Sequence, residues 1–317
     1  MPSYLTNTAI SIKDTRIPTN FSGTGVELAA LVHYPSNFDA ERENHYAAIV
    51  ISHPGGGVKE QTAGLYARKL AETGLVTIAF DASYQGASSG EPRQLDNPFV
   101  RTEDVSAVVD HICGLSYVNK TRIGAMGICA GGGFTISAAI ADRRIAAAST
   151  VNAVNMGTLV RRGLDGKGND ADGLRALEDA SAARTADAAS KKPARTIMTP
   201  SDKDTAYQRG SKETWDYYWD RCKHENSVGW FTTRSRMQQA TFDAFHFAES
   251  FLTQPLLVVV GSEAFSKFMS NDLMSRAASK DKRMHVVEGA THMQLYDQEK
   301  YVEEVTEQVA TFFHTKL

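Results

Sequence analysis

The chain has 317 residues, with 34 lysines and arginines against 37 aspartates and glutamates, so nothing in its charge argues for a nucleic-acid partner or an anionic membrane. That length suits one large domain, or a domain carrying a substantial insertion. Cys113, Cys129 and Cys222 cannot build a disulfide framework and lack zinc-type pairing, so neither a metal nor a secreted, cross-linked scaffold is expected. Residues 1–7 lack the basic and apolar regions of a secretory leader and no run is long enough to span a bilayer, which leads us to expect a cytoplasmic protein.

In chain order, residues 9–12 and 26–32 read as early strands, an antiparallel lead-in. Residues 46–52 are continuously apolar, the pattern of a parallel strand covered on both faces, and they run into His53-Pro54-Gly55-Gly56-Gly57. A helix is expected over 62–71 and a buried strand over 75–80, ending at Asp81 and the Gly/Ser-rich loop 85–90, which Asp81 should tie down by hydrogen bonding. The next helix should open near Thr102-Glu103-Asp104, with acidic residues in its first turn and Val105, Val108, Val109 and Ile112 on one face. Cys113 lies on that apolar face as a small core residue. Strands are expected at 122–128 and 145–151, with a buried helix over 134–141 between them. Strand and helix alternating with short links mean a mostly parallel α/β sheet.

After about residue 155 the rhythm breaks. Residues 157–252 are polar, Ala-rich and helix-prone, with no convincing buried strand. Their aromatic cluster, Trp215-Asp216-Tyr217-Tyr218-Trp219, can either line a pocket or simply pack a helical lid on the sheet. The strand signal returns at 255–260 and 284–287, and a helix over 301–313 closes the chain. We therefore expect a core made of residues 1–155 and 253–317, interrupted by a helical cap at 156–252.

The most informative passage is Gly127-Ile128-Cys129-Ala130-Gly131, the G-x-S-x-G nucleophile elbow with cysteine in place of serine. Such a turn from strand into helix holds its nucleophile in a strained conformation and needs small residues two positions either side, where backbones pass closely. A cysteine nucleophile needs a base, and an acid to orient that base. His292, in the loop beyond the last strand, is the expected base, whereas His285 lies inside that strand. The orienting acid is expected at Glu263, with Asp272 and Asp243 as alternatives. Asp243 and His246 can also pair with each other as helix neighbours. Acyl transfer further needs donors for the developing oxyanion. The N–H of Ala130 and that of Gly55 or Gly56 suit that role, whereas a phosphate cradle is disfavoured because no Lys-Ser/Thr follows the glycines. His53 reads as a structural turn residue.

Read together, the elbow, the H-P-G-G-G loop and Gly289-Ala290-Thr291-His292 resemble the α/β-hydrolase superfamily. More narrowly, they resemble its dienelactone-hydrolase-like branch with a cysteine nucleophile, similar to a group of bacterial hydrolases and fungal polyketide transferases. The resemblance covers roughly residues 5–155 and 253–317. It implies an α/β-hydrolase fold and hydrolysis or transfer of an ester, lactone or thioester acyl group, with a small-molecule acyl substrate and no cofactor. Cys129 and His292 carry over as nucleophile and base, but Ala264 stands where the branch has its aspartate, which is why Glu263 is the expected substitute. A thiol leaves more readily than an alkoxide, so activated esters, enol lactones and thioesters should be preferred over plain alkyl esters. Two rivals are a peptidase on the same scaffold, and a non-catalytic ligand-binding or redox-sensing protein in which Cys129 is oxidised. The oligomeric state is open, a homo-oligomer included.

Overall fold

The structure, a computed structural model, describes residues 10–19, 25–190 and 192–317. The leader reading at residues 1–7, and Ala9 at the head of the first expected strand, lie outside the described residues. Among the described residues ten strands form in chain order: β1 (Ser11–Pro18), β2 (Glu27–Tyr34), β3 (Tyr46–Ser52), β4 (Val76–Phe80), β5 (Val118–Ile128), β6 (Ala147–Val151), β7 (Arg195–Ile197), β8 (Trp230–Thr232), β9 (Leu256–Gly261) and β10 (Lys282–Val287). Eight of them make one sheet in the order β1-β2-β4-β3-β5-β6-β9-β10. β2 is antiparallel to both β1 and β4, and every pairing from β4 through β10 is parallel. This is the α/β-hydrolase architecture expected from the sequence.

Period-two alternation explains how the apolar strands cover two cores at once. Along β3, Ala48 and Val50 face one cluster while Ile49 and Ile51 face the other. Helices α1 (Gly64–Ala71) and the C-terminal helix Glu299–Lys316 supply Tyr66, Leu70, Val305 and Phe313 to the second cluster. Helices α2 (Pro98–Cys113) and α3 (Ala130–Ala141) supply Val105, Val108, Ile112 and Phe134 to the first. Cys113 packs partly buried against that same cluster.

Among the differences from expectation, three have a clear local reason. β1 extends to Pro18 because it is an edge strand with Ile17 as its one buried residue, so it lacks an apolar signature. α2 starts at Pro98, four residues earlier than the acidic turn suggested, because the Asn97 side chain accepts the Phe99 N–H and proline suits the first helical position. Between β6 and β9, the described residues carry helices α4 (Met156–Arg162) and α5 (Asp170–Ala189) and shorter turns. They also carry an antiparallel ribbon of β7 and β8, whose three residues each are too few to leave a periodic signal. No helix among the described residues is long and apolar enough to cross a membrane.

Asp81 ties its loop down as expected, and does more. Fully buried at the end of β4, its carboxylate accepts the N–H groups of Lys59 and Ala87 at 2.7 and 2.8 Å and the Lys59 ammonium at 3.0 Å, while its carbonyl accepts the Ser88 hydroxyl. Lys59 is itself buried and also bonds Glu60, at the head of the π-helical turn Lys59–Ala63 that leads into α1. Removing one partner of a buried ion pair leaves the other charge uncompensated. Asp81→Ala is therefore expected to lower unfolding free energy by about 3 kcal/mol, read as a shift in the urea midpoint; a loss below about 0.5 kcal/mol would show that Lys59 simply turns out to solvent.

Candidate active site

The elbow forms where β5 ends and α3 begins. Cys129 sits at φ 55°, ψ −123°, a backbone conformation that non-glycine residues rarely adopt. Three backbone bonds hold it there: its N–H donates to Val151 O at 2.9 Å, and its carbonyl accepts Gly132 N–H at 2.9 Å and Val154 N–H at 2.8 Å. The two glycines answer to close approach. A Cβ on Gly127 would lie 2.2 Å from Gly131 O, and one on Gly131 would lie 2.3 Å from Ser52 O.

The Cys129 side chain is half-buried, and it accepts hydrogen bonds from the N–H groups of Ala130 and Gly55. Gly56, the alternative donor, is placed at φ +71°, and its carbonyl accepts the Ser227 hydroxyl at 2.7 Å. Gly55 N–H belongs to the same peptide unit as Pro54 O, which takes His53 Nδ1 at 2.7 Å and Gly57 N–H at 3.1 Å. His53 is fully buried and its Nε2 accepts Ala82 N–H at 3.1 Å, so it is a structural turn residue with a fixed tautomer.

His292 lies beyond β10, buried, with Phe265 stacked on its ring at 4.2 Å between centroids. Its Nε2 bonds the Tyr296 hydroxyl at 3.1 Å, and that phenol also acts on the Cys129 thiol, whose ionised form its hydroxyl favours. Its Nδ1 bonds the Ser266 hydroxyl at 2.9 Å, and Ser266 donates to Asn152 O at 3.3 Å.

None of the three expected acids reaches His292. Glu263 is exposed and accepts from the Ser262 hydroxyl, because its own N–H is spent on Ala290 O and its side chain turns outward. Asp272 is half-buried and lies 3.6 Å from Arg276. Asp243 pairs with Arg276 at 3.0 Å and accepts Asn155 Nδ2 at 2.7 Å, rather than pairing with the His246 ring. The place of the acid is taken by Ser266, a neutral residue that a search for carboxylates passes over. Tyr296 was also missed, although its spacing of four from His292 is the signal that puts two side chains on one helical face.

With no carboxylate beside it, burial alone holds the His292 imidazole down to about 3. Burial also pushes the Cys129 thiol up, against the hydrogen bonds from Tyr296, Ala130 and Gly55 and the positive charge of Arg101. At rest the pair is thus thiol and neutral imidazole, not thiolate and imidazolium. Cys222 is no rival: burial and the nearby Asp297 push its thiol up to about 11.

In front of Cys129 opens a cavity of about 80 Å³. One wall is polar, with Gln85, Gln94 and Asp96, and the rest is apolar, including Val154, Leu159 and Phe231. Asp96 is fully engaged, by Arg101 at 3.3 Å, Gln85 at 3.1 Å and Gln239 at 2.7 Å. The segment between β6 and β9 reaches the Gly55–Gly56 loop directly: Tyr218 donates to Gly55 O at 3.4 Å, and the Met198 methyl occupies the space beside Gly56.

A family profile described as serine aminopeptidase, S33, matches residues 43–299. The chain is 52% identical over 300 residues to the uncharacterized protein YcjY of Escherichia coli, covering 94% of this chain and 97% of that one. It is 35% identical over 282 residues to PA2218 of Pseudomonas aeruginosa, covering 86% and 73% of the two chains. The crystal structure of PA2218 superposes over 100% of this chain and 98% of that chain, with a TM-score of 0.86 and 30% identity. The α/β hydrolase GrgF of a Penicillium species, a polyketide transferase, superposes over 96% and 99% of the two chains with a TM-score of 0.76; at 18% identity that likeness is one of fold.

The protonation states give a pH signature. A reaction in which neutral His292 removes the thiol proton runs flat between the two pKa values, here from about 3 up to the raised value of the thiol. Iodoacetamide alkylation of Cys129, followed by mass spectrometry, should change little between pH 5 and 8 and climb only above the ordinary thiol range. A fall on acidification through pH 6.5 would mean that the imidazole titrates normally.

Proposed function

The chain belongs to the serine aminopeptidase S33 family of α/β hydrolases, and from that premise we propose that it cleaves or transfers ester, lactone or thioester acyl groups through a thioacyl intermediate on Cys129. The observation that carries this reading is the pair of amides, Ala130 and Gly55, aimed at the sulfur of a strained elbow. When the thiol turns away from them to attack a carbonyl carbon, the carbonyl oxygen can take its place between two preorganised donors.

In the first step the sulfur bonds to the carbonyl carbon, the C=O electron pair moves to oxygen, and the thiol proton ends on His292. Collapse of the adduct expels an alkoxide or thiolate, which takes that proton and departs as alcohol or thiol. Water or an acceptor then gives its proton to His292, attacks the thioester, and releases Cys129. The imidazolium formed on the way keeps its Nδ1–H on Ser266, which orients the ring as a carboxylate would but without charge. Thiols are far more acidic than hydroxyls, so a cysteine depends less on that missing charge than a serine does.

The rival readings fare worse on specific features. An aminopeptidase must hold a free α-ammonium, but Asp96, the acid lining the cavity, is already satisfied by three partners. A redox sensor needs a thiolate-prone cysteine, whereas Cys129 is held as a thiol. The cavity suits a short acyl group, and a cysteine leaving group favours activated esters and thioesters.

Intact-protein mass spectrometry after brief mixing with p-nitrophenyl acetate tests the proposal. Wild type should show an acetyl adduct on Cys129 that builds in a burst and decays. Cys129→Ala should show none, and His292→Ala should acylate about 100-fold more slowly. Ser266→Ala should fall in between, while Glu263→Ala should stay within about twofold of wild type because its side chain faces solvent. An adduct at another residue, or none in wild type, would sink the thioacyl mechanism.

A further inference from the structure

We propose that Gln85 and Gln94 form a subsite that reads a hydroxyl on the acyl chain of the substrate, so that short hydroxyacyl esters and thioesters are preferred over their plain counterparts. The inference deepens the acyl-transfer reading and rests on it, since the two amides line the same cavity as Cys129.

The orientation of Gln85 follows from chemistry. A carboxylate only accepts, so the 3.1 Å bond between Gln85 and Asp96 must come from the amide NH2 of Gln85. Its carbonyl oxygen Oε1 leaves the same planar group in another direction, and among the described residues no hydrogen bond reaches it.

Gln94 carries the argument further. It is 9% exposed, yet neither its amide nitrogen nor its amide oxygen has a partner among the described residues. Its main chain, in contrast, is clamped on both sides: the N–H donates to Tyr84 O at 2.8 Å, and the carbonyl accepts the Thr232 N–H of β8 at 2.9 Å. The clamp holds it at φ 63°, a left-handed conformation that costs a glutamine free energy. Buried amides ordinarily find partners. A strained backbone that presents an unpaired amide to a cavity wall is not explained by packing, and it fits a group that waits for a ligand.

The wall itself narrows the ligand. It carries no free charge, because Asp96 is committed to Arg101, Gln85 and Gln239, and Arg101 is in turn spent on Asp96. The matching group is therefore neutral. A hydroxyl is the small neutral group that donates and accepts at once, giving its hydrogen to Gln85 Oε1 and taking one from the Gln94 amide. A ketone only accepts and leaves Gln85 unmatched, whereas an alkyl chain leaves both amides desolvated and unpaired. Val154, Leu159 and Phe231 supply apolar wall for the rest of the chain, and about 80 Å³ holds only a few carbons.

Three N-acetylcysteamine thioesters, of butyrate, 2-hydroxybutyrate and 3-hydroxybutyrate, test the proposal on the full chain. The readout is the hydroxyl preference, kcat/KM for the better hydroxyacyl substrate divided by kcat/KM for butyrate, in which the amount of folded enzyme cancels. We expect this preference to be about 30-fold smaller in Gln94→Met, which keeps the length of the side chain and removes its amide. Should that variant fail to fold, Gln94→Gly, whose backbone adopts positive φ freely, is expected to show the same loss. A preference within threefold of wild type in a folded variant overturns the proposal. So does an equal loss on all three substrates, which marks an amide that serves the reacting carbonyl or the scaffold. If wild type turns over none of them, the acyl-transfer reading fails separately, and the subsite is judged by binding of the methyl esters of the same three acids, followed by saturation-transfer NMR. Tighter binding of a hydroxy ester that is lost in Gln94→Met supports the subsite; equal affinities, or no binding of any ester, overturn it.

Discussion

At the centre of the molecule two backbones pass so closely that no side chain fits between them. Gly127 ends a strand against the carbonyl of Gly131, and Gly131 opens a helix against the carbonyl of Ser52, each with room for hydrogen only. This contact forces the sharp turn at Cys129, and a residue held at positive φ in this way costs of order 1–3 kcal/mol. The cost is met by the three backbone bonds that Cys129 makes to Val151, Gly132 and Val154. Ser52 is the last residue of β3, so the approach of Gly131 brings the following loop, and Gly55 with it, against Cys129. Elbow and Gly-rich loop are in this sense one construction.

The second constraint is electrical. Buried charges around the site are already committed to one another, Arg101 to Asp96 and Lys59 to Asp81. No carboxylate remains for His292, whose partner is a serine hydroxyl. A neutral orienter stabilises an imidazolium less than a carboxylate does, so a base so placed suits a proton donor that is already fairly acidic. A thiol meets that requirement and an alcohol does not. On the proposed reading, the cysteine in the elbow and a serine rather than a carboxylate at His292 account for each other, and both would favour substrates whose leaving groups demand little push.

How much of this could be read from the sequence depended on the range of the interaction involved. The continuous apolar runs of β3, β4 and β9 mark central strands because both faces are covered, and the elbow glycines mark a close approach within a few residues. Exposed β1 carries no such imprint, and the ribbon of β7 and β8 is too short to leave one. The orienter of His292 was misread for a different reason. Counting from Gly261 looks for a carboxylate at a set distance, yet the chain turns so that Glu263 meets water and Ser266, three residues on, meets the imidazole. Tyr296 left a signal in its spacing from His292, but only the packed structure reveals that the thiol lies on its other side. Contacts of Tyr218 and Ser227 with the oxyanion loop join positions more than 160 apart in sequence and leave no local trace.

On the proposed reading, those long-range contacts would give residues 156–252 a part in the chemistry beyond roofing the cavity. A trans peptide unit holds its C=O and N–H in opposite directions in one plane. Pinning Pro54 O on His53 Nδ1 and Gly57 N–H therefore aims Gly55 N–H the other way, at the sulfur. The next two carbonyls of the loop, those of Gly55 and Gly56, are held by hydroxyls of the cap, from Tyr218 and Ser227. The loop is thus fastened from below by a core histidine and from above by the insertion, and its donor direction is set by both. A cap that moved as a whole would loosen the upper fastening while leaving the lower one in place. If Gly55 serves as an oxyanion donor as proposed, its direction is coupled to the position of residues 156–252 through two hydrogen bonds, so changes there would reach the reacting carbonyl without passing through Cys129 at all.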